Sequence, residues 1–100
     1  EADIQNLEGG KRVADALGAN KLAILRNHGT LTVGASIDEA MGWYLMAERV
    51  AEVHCKAPRP QPISNDDARR VATTINTPGQ GWRAFNWTLR ARIPDPTVVD

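Results

Sequence analysis

The chain has 100 residues, 42% of them apolar and 24% charged, the composition of a soluble globular piece with a modest core. Its 12 basic and 12 acidic side chains cancel, so the overall balance calls for neither nucleic acid nor an anionic membrane. No run reaches transmembrane length, no basic-then-apolar leader opens the sequence, and the lone Cys55 excludes an internal disulfide framework, in keeping with a reducing, cytoplasmic setting.

The first predicted element is a helix from Asn6 to Leu17, with Leu7, Val13, Ala14 and Leu17 as its apolar positions and Gly18 as its stop. Leu22-Ala23-Ile24-Leu25 then reads as a buried strand and Leu31-Thr32-Val33 as an alternating one, which leaves Asn27 to Thr30 as their junction. His28 lies in that junction beside Gly29, whose missing Cβ lets the backbone turn sharply and a ligand approach closely. An imidazole at the mouth of an apolar strand suits a metal ligand or an acid/base group. The structural alternative is a turn histidine bonded to local backbone.

Gly34-Ala35 turns the chain into its longest helix, Ile37 to Lys56. Ser36 and Glu39 have the spacing of a capping box, in which the Ser36 hydroxyl accepts from the Glu39 N–H and the Glu39 carboxylate reaches back to Ser36. At 100° per residue, Ile37, Ala40, Met41, Trp43, Tyr44, Ala47, Val50, Ala51, His54 and Cys55 share one arc. Asp38, Glu39, Arg49, Glu52 and Lys56 lie opposite, so the helix is expected to rest on the sheet. Glu48 falls inside the apolar arc, where an ionised carboxylate needs a partner. The structural reading pairs it with Arg26 or with backbone donors at a strand end; the functional one makes it a group supporting a nearby metal or handling a proton. His54, about four and a half turns along, reads as a core or interface histidine, and Tyr44 as a packing residue.

Pro58, Pro60 and Pro62 end this helix and favour an extended spacer. Ser64 and Asp67 give a cap signal for a short helix over Asp66 to Asn76, stopped before Pro78-Gly79. Trp82, Phe85, Leu89 and Ile93 then recur at helical spacing up to Pro94. With Arg83, Arg90 and Arg92 beside Trp82 and Trp87, base stacking is conceivable, but an aromatic stripe packed on a neighbour with a solvated arginine rim is the preferred reading. The organisation expected is a domain segment over 1–57, a proline-rich spacer over 58–65 and a helical tail over 66–100.

From Glu8 to Glu52 the chain resembles the class II aldolase/adducin family. Glu8-Gly9-Gly10, Lys21-Leu22-Ala23-Ile24-Leu25-Arg26-Asn27-His28-Gly29, Thr32-Val33-Gly34, Ser36-Ile37-Asp38-Glu39-Ala40 and Ala47-Glu48-Arg49 carry the resemblance. It implies a three-layer α/β/α fold with a predominantly antiparallel sheet, this chain supplying the carboxyl-terminal half. It also implies that His28 is one of three imidazoles on a divalent metal, Zn²⁺ or another ion such as Fe²⁺ or Mn²⁺. The other two belong to a His-x-His pair and the general base to a carboxylate, both upstream of the matched region, and this sequence has no His-x-His pair. A catalytic zinc needs three protein ligands and an open position, so the remaining donors are expected from elsewhere in the protein.

The activity so implied is that of a lyase of class II aldolase type. It would cleave or form a carbon–carbon bond next to a carbonyl of a small carbonyl or hydroxy substrate, through a metal-stabilised enediolate, in a cytoplasmic homo-oligomer, often a tetramer. Epimerases and non-haem iron decarboxylases or oxygenases belong to the same family, and the adducin branch offers a non-catalytic binding or scaffold role. The resemblance thins after Lys56, so the tail is expected to mark a subgroup distinct from the sugar-phosphate aldolases.

Overall fold

Local signals set the helix starts. Asn6 caps α1 (Leu7–Leu17) by accepting from the Gly9 N–H at 2.7 Å, and Ser36 caps α2 (Ile37–Lys56) by accepting from the Glu39 N–H at 3.1 Å. Ser64 does the same for α3 (Asn65–Thr74) through the Asp67 N–H at 3.1 Å. The last helix, α4 (Pro78–Arg92), has no side-chain cap and begins on Pro78 itself. A proline in the first turn lacks only a donor that the helix does not use there, so Pro78-Gly79, expected as a break, is also a beginning. The structure, a computed structural model, describes residues 6–95 and 97.

Between α1 and α2 lie β1 (Leu22–Leu25) and β2 (Gly29–Thr32), paired antiparallel with Leu22 opposite Thr32 and Leu25 opposite Gly29. The second strand starts earlier than its alternation indicates, because Gly29 and Thr30 already pair with Leu25 and Ile24. The described residues thus form a small mixed α/β arrangement of a two-stranded antiparallel sheet and four helices. None of these helices is long and apolar enough to cross a membrane.

The core is small and centred on α2. Trp43 is 6% exposed and Glu39 5% exposed, and Gly42 between them is buried. Helix α4 lies against α2 at this point: a Cβ on Gly42 would run into the carbonyl of Gly81, and one on Gly81 would come within 2.9 Å of the Trp43 ring. Two facing glycines let the helix backbones approach as side chains would not permit. An Asn86-to-Asp38 hydrogen bond of 2.9 Å joins the same helices, and Thr32 Oγ1 donates to the Ala40 carbonyl at 2.9 Å to join β2 to α2.

The buried line of α2 is therefore not the predicted arc. Ile37 is 81% and Val50 67% exposed, while Glu39, assigned to the polar side, is buried. The cause is the size of the partners. A helix of 20 residues is about 30 Å long, whereas strands of four residues span only about 13 Å, so the sheet cannot cover the arc. Helix α4 takes the contact instead. Its own buried line runs through Gly81, with Phe85 and Leu89 half-buried, and leaves the expected stripe residue Trp82 at the edge, 45% exposed.

Candidate functional site

The Leu25-Arg26-Asn27-His28 turn closes the hairpin, with the His28 N–H donating to the Leu25 carbonyl at 3.0 Å. Its third residue, Asn27, has φ +58°, the left-handed conformation that favours Gly or Asn at this turn position. Gly29 follows at φ +153°, where a side chain would be strained even though the space beside it is open. Two unusual backbone conformations thus flank His28 and set the direction in which it leaves the chain. Its side chain is exposed, and the ring makes no hydrogen bond or ion pair among the described residues. An imidazole on a fixed turn with uncommitted nitrogens has the donor chemistry of a metal ligand.

A single donor does not make a metal site. Among the described residues no three or more His, Cys, Asp or Glu side chains are grouped to hold an ion, so these residues offer His28 as a single donor and not a complete ligand set. His54, expected in a core or interface, is exposed on the last turn of α2. With Cys55, Tyr44, Leu22 and Ile24 it lines an apolar groove of about 370 Å³ between β1 and the second half of α2. Glu48 lines the same groove. Its carboxylate is exposed and pairs neither with Arg26 nor with backbone donors, which corrects the expectation of a buried, partnered group. The short sheet again explains this, since β1 and β2 leave an open groove along that face of α2 instead of closing over it.

The organised polar cluster lies at the other end of the hairpin. Glu39 Oε1 accepts from the Trp43 indole N–H at 3.0 Å and lies 3.8 Å from Lys21 Nζ, while Oε2 accepts from the Ala35 N–H at 2.8 Å. The capping box is thus only half as expected, because the carboxylate returns to Ala35 rather than to Ser36. Lys21 Nζ also donates to the Asn76 carbonyl at 2.9 Å and sits 4.3 Å from the centroid of the Trp43 ring. The Trp43 hydrogen bond first, then the Ala35 N–H and the Lys21 charge, hold the Glu39 carboxyl below the usual glutamate range, against the opposing effect of burial. No buried side-chain polar atom among the described residues lacks a partner.

Sequence reasoning missed this cluster because it counted Glu39 as a solvent-facing helix residue. The available signal was Trp43 one helical turn on, which places an indole donor beside the Glu39 carboxylate. Lys21 and Asn76 are 55 positions apart, and no local pattern announces their contact.

Residues 1–55 match the family described as Class II Aldolase and Adducin N-terminal domain. The chain belongs to that family. Among curated proteins it is similar to Decarboxylase NovR of Streptomyces niveus, 28% identical over 97 residues that cover 91% of this chain and 36% of the relative. It is also similar to the 4-hydroxy-3-prenylphenylpyruvate oxygenase/4-hydroxy-3-prenylbenzoate synthase of Streptomyces roseochromogenus subsp. oscitans, 29% identical over 92 residues, 86% of this chain and 33% of the relative. The chain spans about a third of the length of these curated relatives. No solved structure matches it.

Proposed function

We propose that the intact protein is a metal-dependent enzyme that cleaves a carbon–carbon bond adjacent to a carbonyl, in its decarboxylating form, and that His28 is one ligand of the divalent ion. The observation that carries this reading is an exposed imidazole with uncommitted nitrogens on a conformationally fixed turn, in a chain of the class II aldolase/adducin family. The decarboxylating form is favoured over sugar-phosphate aldol cleavage by the reach of the similarity. An alignment covering 91% of the chain extends well past residue 55 into the tail helices, and the relative sharing that tail is named a decarboxylase. The second relative, named an oxygenase/synthase, shares the tail as well.

In this reading a small carbonyl or hydroxy acid is the substrate. His28, with donors from other segments, would hold Zn²⁺, Fe²⁺ or Mn²⁺, which when bound would supply Lewis-acid polarisation of substrate oxygens beside the carbonyl. This chain contributes His28 as a donor, oriented by Asn27 and Gly29. Two further imidazoles and the general base come from other segments of the protein, which also complete a three-layer α/β/α domain in a cytoplasmic homo-oligomer. Glu48, exposed on the groove beside β1, keeps its proposed role as a group supporting the metal or handling a proton only if the segments that complete the site bring an imidazole or substrate to it.

The test is the metal content of the intact protein before and after His28→Ala. Stoichiometric metal in the wild type is expected to fall to less than about a tenth in the variant, with turnover lost. Equal, stoichiometric metal in both removes His28 from the site. A wild type that binds no divalent ion and turns over no carbonyl acid points instead to an adducin-like scaffold.

A further inference from the structure

We infer that Lys21 and Glu39 are positioning residues for His28: together they fix the orientation of the hairpin whose tip carries the imidazole, and through Asn76 they make that orientation depend on the α3–α4 connection. The inference rests on the reading of His28 as a metal ligand.

A two-stranded ribbon is marginal by itself, so its direction is set by what holds its foot. Here the two chain segments entering and leaving the hairpin converge on one buried carboxylate. Lys21, immediately before β1, approaches Oε1 of Glu39 at 3.8 Å, and the N–H of Ala35, just after β2, donates to Oε2 at 2.8 Å. The Val33 N–H donates to the Lys21 carbonyl at 3.0 Å, so entry and exit are also bonded to each other. Lys21 then carries this foot onto the tail by donating to the Asn76 carbonyl at 2.9 Å. Gly81 of α4 closes over the assembly, within 3.0 Å of Glu39 at the position its Cβ would take. By contrast the turn at the tip has only its own backbone hydrogen bond from His28 to Leu25.

Leverage makes the foot matter to the tip. Each strand has four residues, so the ribbon is about 13 Å long and a rotation of about 10° at the foot moves the tip by about 2 Å. Metal–ligand distances tolerate only about 0.2 Å. A buried carboxylate held by two hydrogen bonds, with a half-exposed lysine 3.8 Å away, is a poor source of stability compared with apolar packing but a good way to select one geometry, which is the role this cluster has here.

The experiment is titration of Zn²⁺ alone into the metal-free intact protein and its variants. Lys21→Met is expected to weaken binding about tenfold, the scale of losing a group that orients a ligand, and Lys21→Arg to restore most of it by keeping the charge over Trp43 and a donor for Asn76. Glu39→Gln, which keeps an acceptor for the indole, is expected to act in the same direction and serves if Lys21→Met does not fold. Leu89→Ala on α4, away from the foot, is the control: it lowers the thermal midpoint while Zn²⁺ affinity stays at the wild-type value. In the metal-free protein, the His28 ring resonances move in Lys21→Met and not in Leu89→Ala. The inference is overturned if Lys21→Met and Glu39→Gln bind Zn²⁺ as the wild type does, or if Leu89→Ala weakens binding as much as they do. When those two variants bind normally and His28→Ala does not, only the positioning role fails. When His28→Ala binds normally, the ligand reading fails with it.

Discussion

At the foot of the β1–β2 hairpin Glu39 is 5% exposed, its carboxylate oxygens accepting from the Ala35 N–H and the Trp43 indole N–H with the Lys21 ammonium 3.8 Å away. At the tip of the same hairpin an imidazole stands in solvent, and only its backbone is bonded. The two polar groups are held by opposite means. Glu39 is fixed by its partners, so it stays ionised and in place but has nothing left to offer a ligand. His28 is fixed by the conformation of the chain on either side of it, so its ring nitrogens remain available. Buried and satisfied marks a group that organises the fold; exposed, oriented and unbonded marks one that can bind.

The largest effect that would break this contrast comes from separating the helices above the foot. Gly42→Ala drives a methyl into the Gly81 carbonyl, and no flexible side chain is there to give way. A loss of about 3 kcal/mol or more is expected in denaturant unfolding, the upper range for overpacking a close contact. A variant as stable as the wild type would show that α2 and α4 do not meet through these glycines.

A smaller effect is expected from acid. Because the Glu39 carboxyl is held below its ordinary value of 4.5, its contribution to stability is fully present above that pH and is lost as pH falls through the lower folded-state value. Unfolding midpoints of the wild type should therefore decline below about pH 4.5. Glu39→Gln should be less stable at pH 7 and should show a shallower acid decline. Asp67, likewise held low by Arg70 and Ser64, still titrates in that variant, so some slope remains. Parallel acid declines in the two proteins would remove Glu39 from the organising role.

What was legible in the sequence follows from the range of the forces involved. Caps at Asn6, Ser36 and Ser64, the stop at Gly18 and the prolines after Lys56 act within a turn of chain, and the helices begin and end close to where these residues put them. The Leu22–Leu25 strand forms on its apolar run, but not as the buried strand expected: none of its four residues is buried and Ile24 is 78% exposed, because nothing described packs over that face of a two-stranded sheet. Glu39 and Glu48 exchanged expected environments because the helical arc was drawn as if the sheet were the only partner of α2. The partner that turned Glu39 inward is α4, reached through Gly42 and Gly81, and glycine carries no hydropathy signal. At the site, Asn-His-Gly pointed to His28 and its turn, while the Lys21–Asn76 bond that ties the hairpin to the tail is a product of tertiary structure alone.

The smallest expected effect lies in the turn itself and sharpens the comparison from the tip. Asn27 holds φ +58°, which an L-residue with a branched Cβ adopts at a cost of about 1–2 kcal/mol. Asn27→Val should therefore destabilise the protein by about that amount in urea, and Asn27→Gly, with no Cβ to object, should change stability by only about 0.5 kcal/mol. Because Asn27 and its neighbours at the tip are exposed, the loss in the valine variant measures chiefly backbone conformation. Zn²⁺ affinity then separates the two substitutions further. Valine forces the turn to relax and moves His28, whereas glycine permits the same turn but also others, so binding should weaken in both while stability falls only in the first. If valine at position 27 costs nothing, the turn does not hold a left-handed residue, and the conformational fixing of His28 that distinguishes tip from foot is absent.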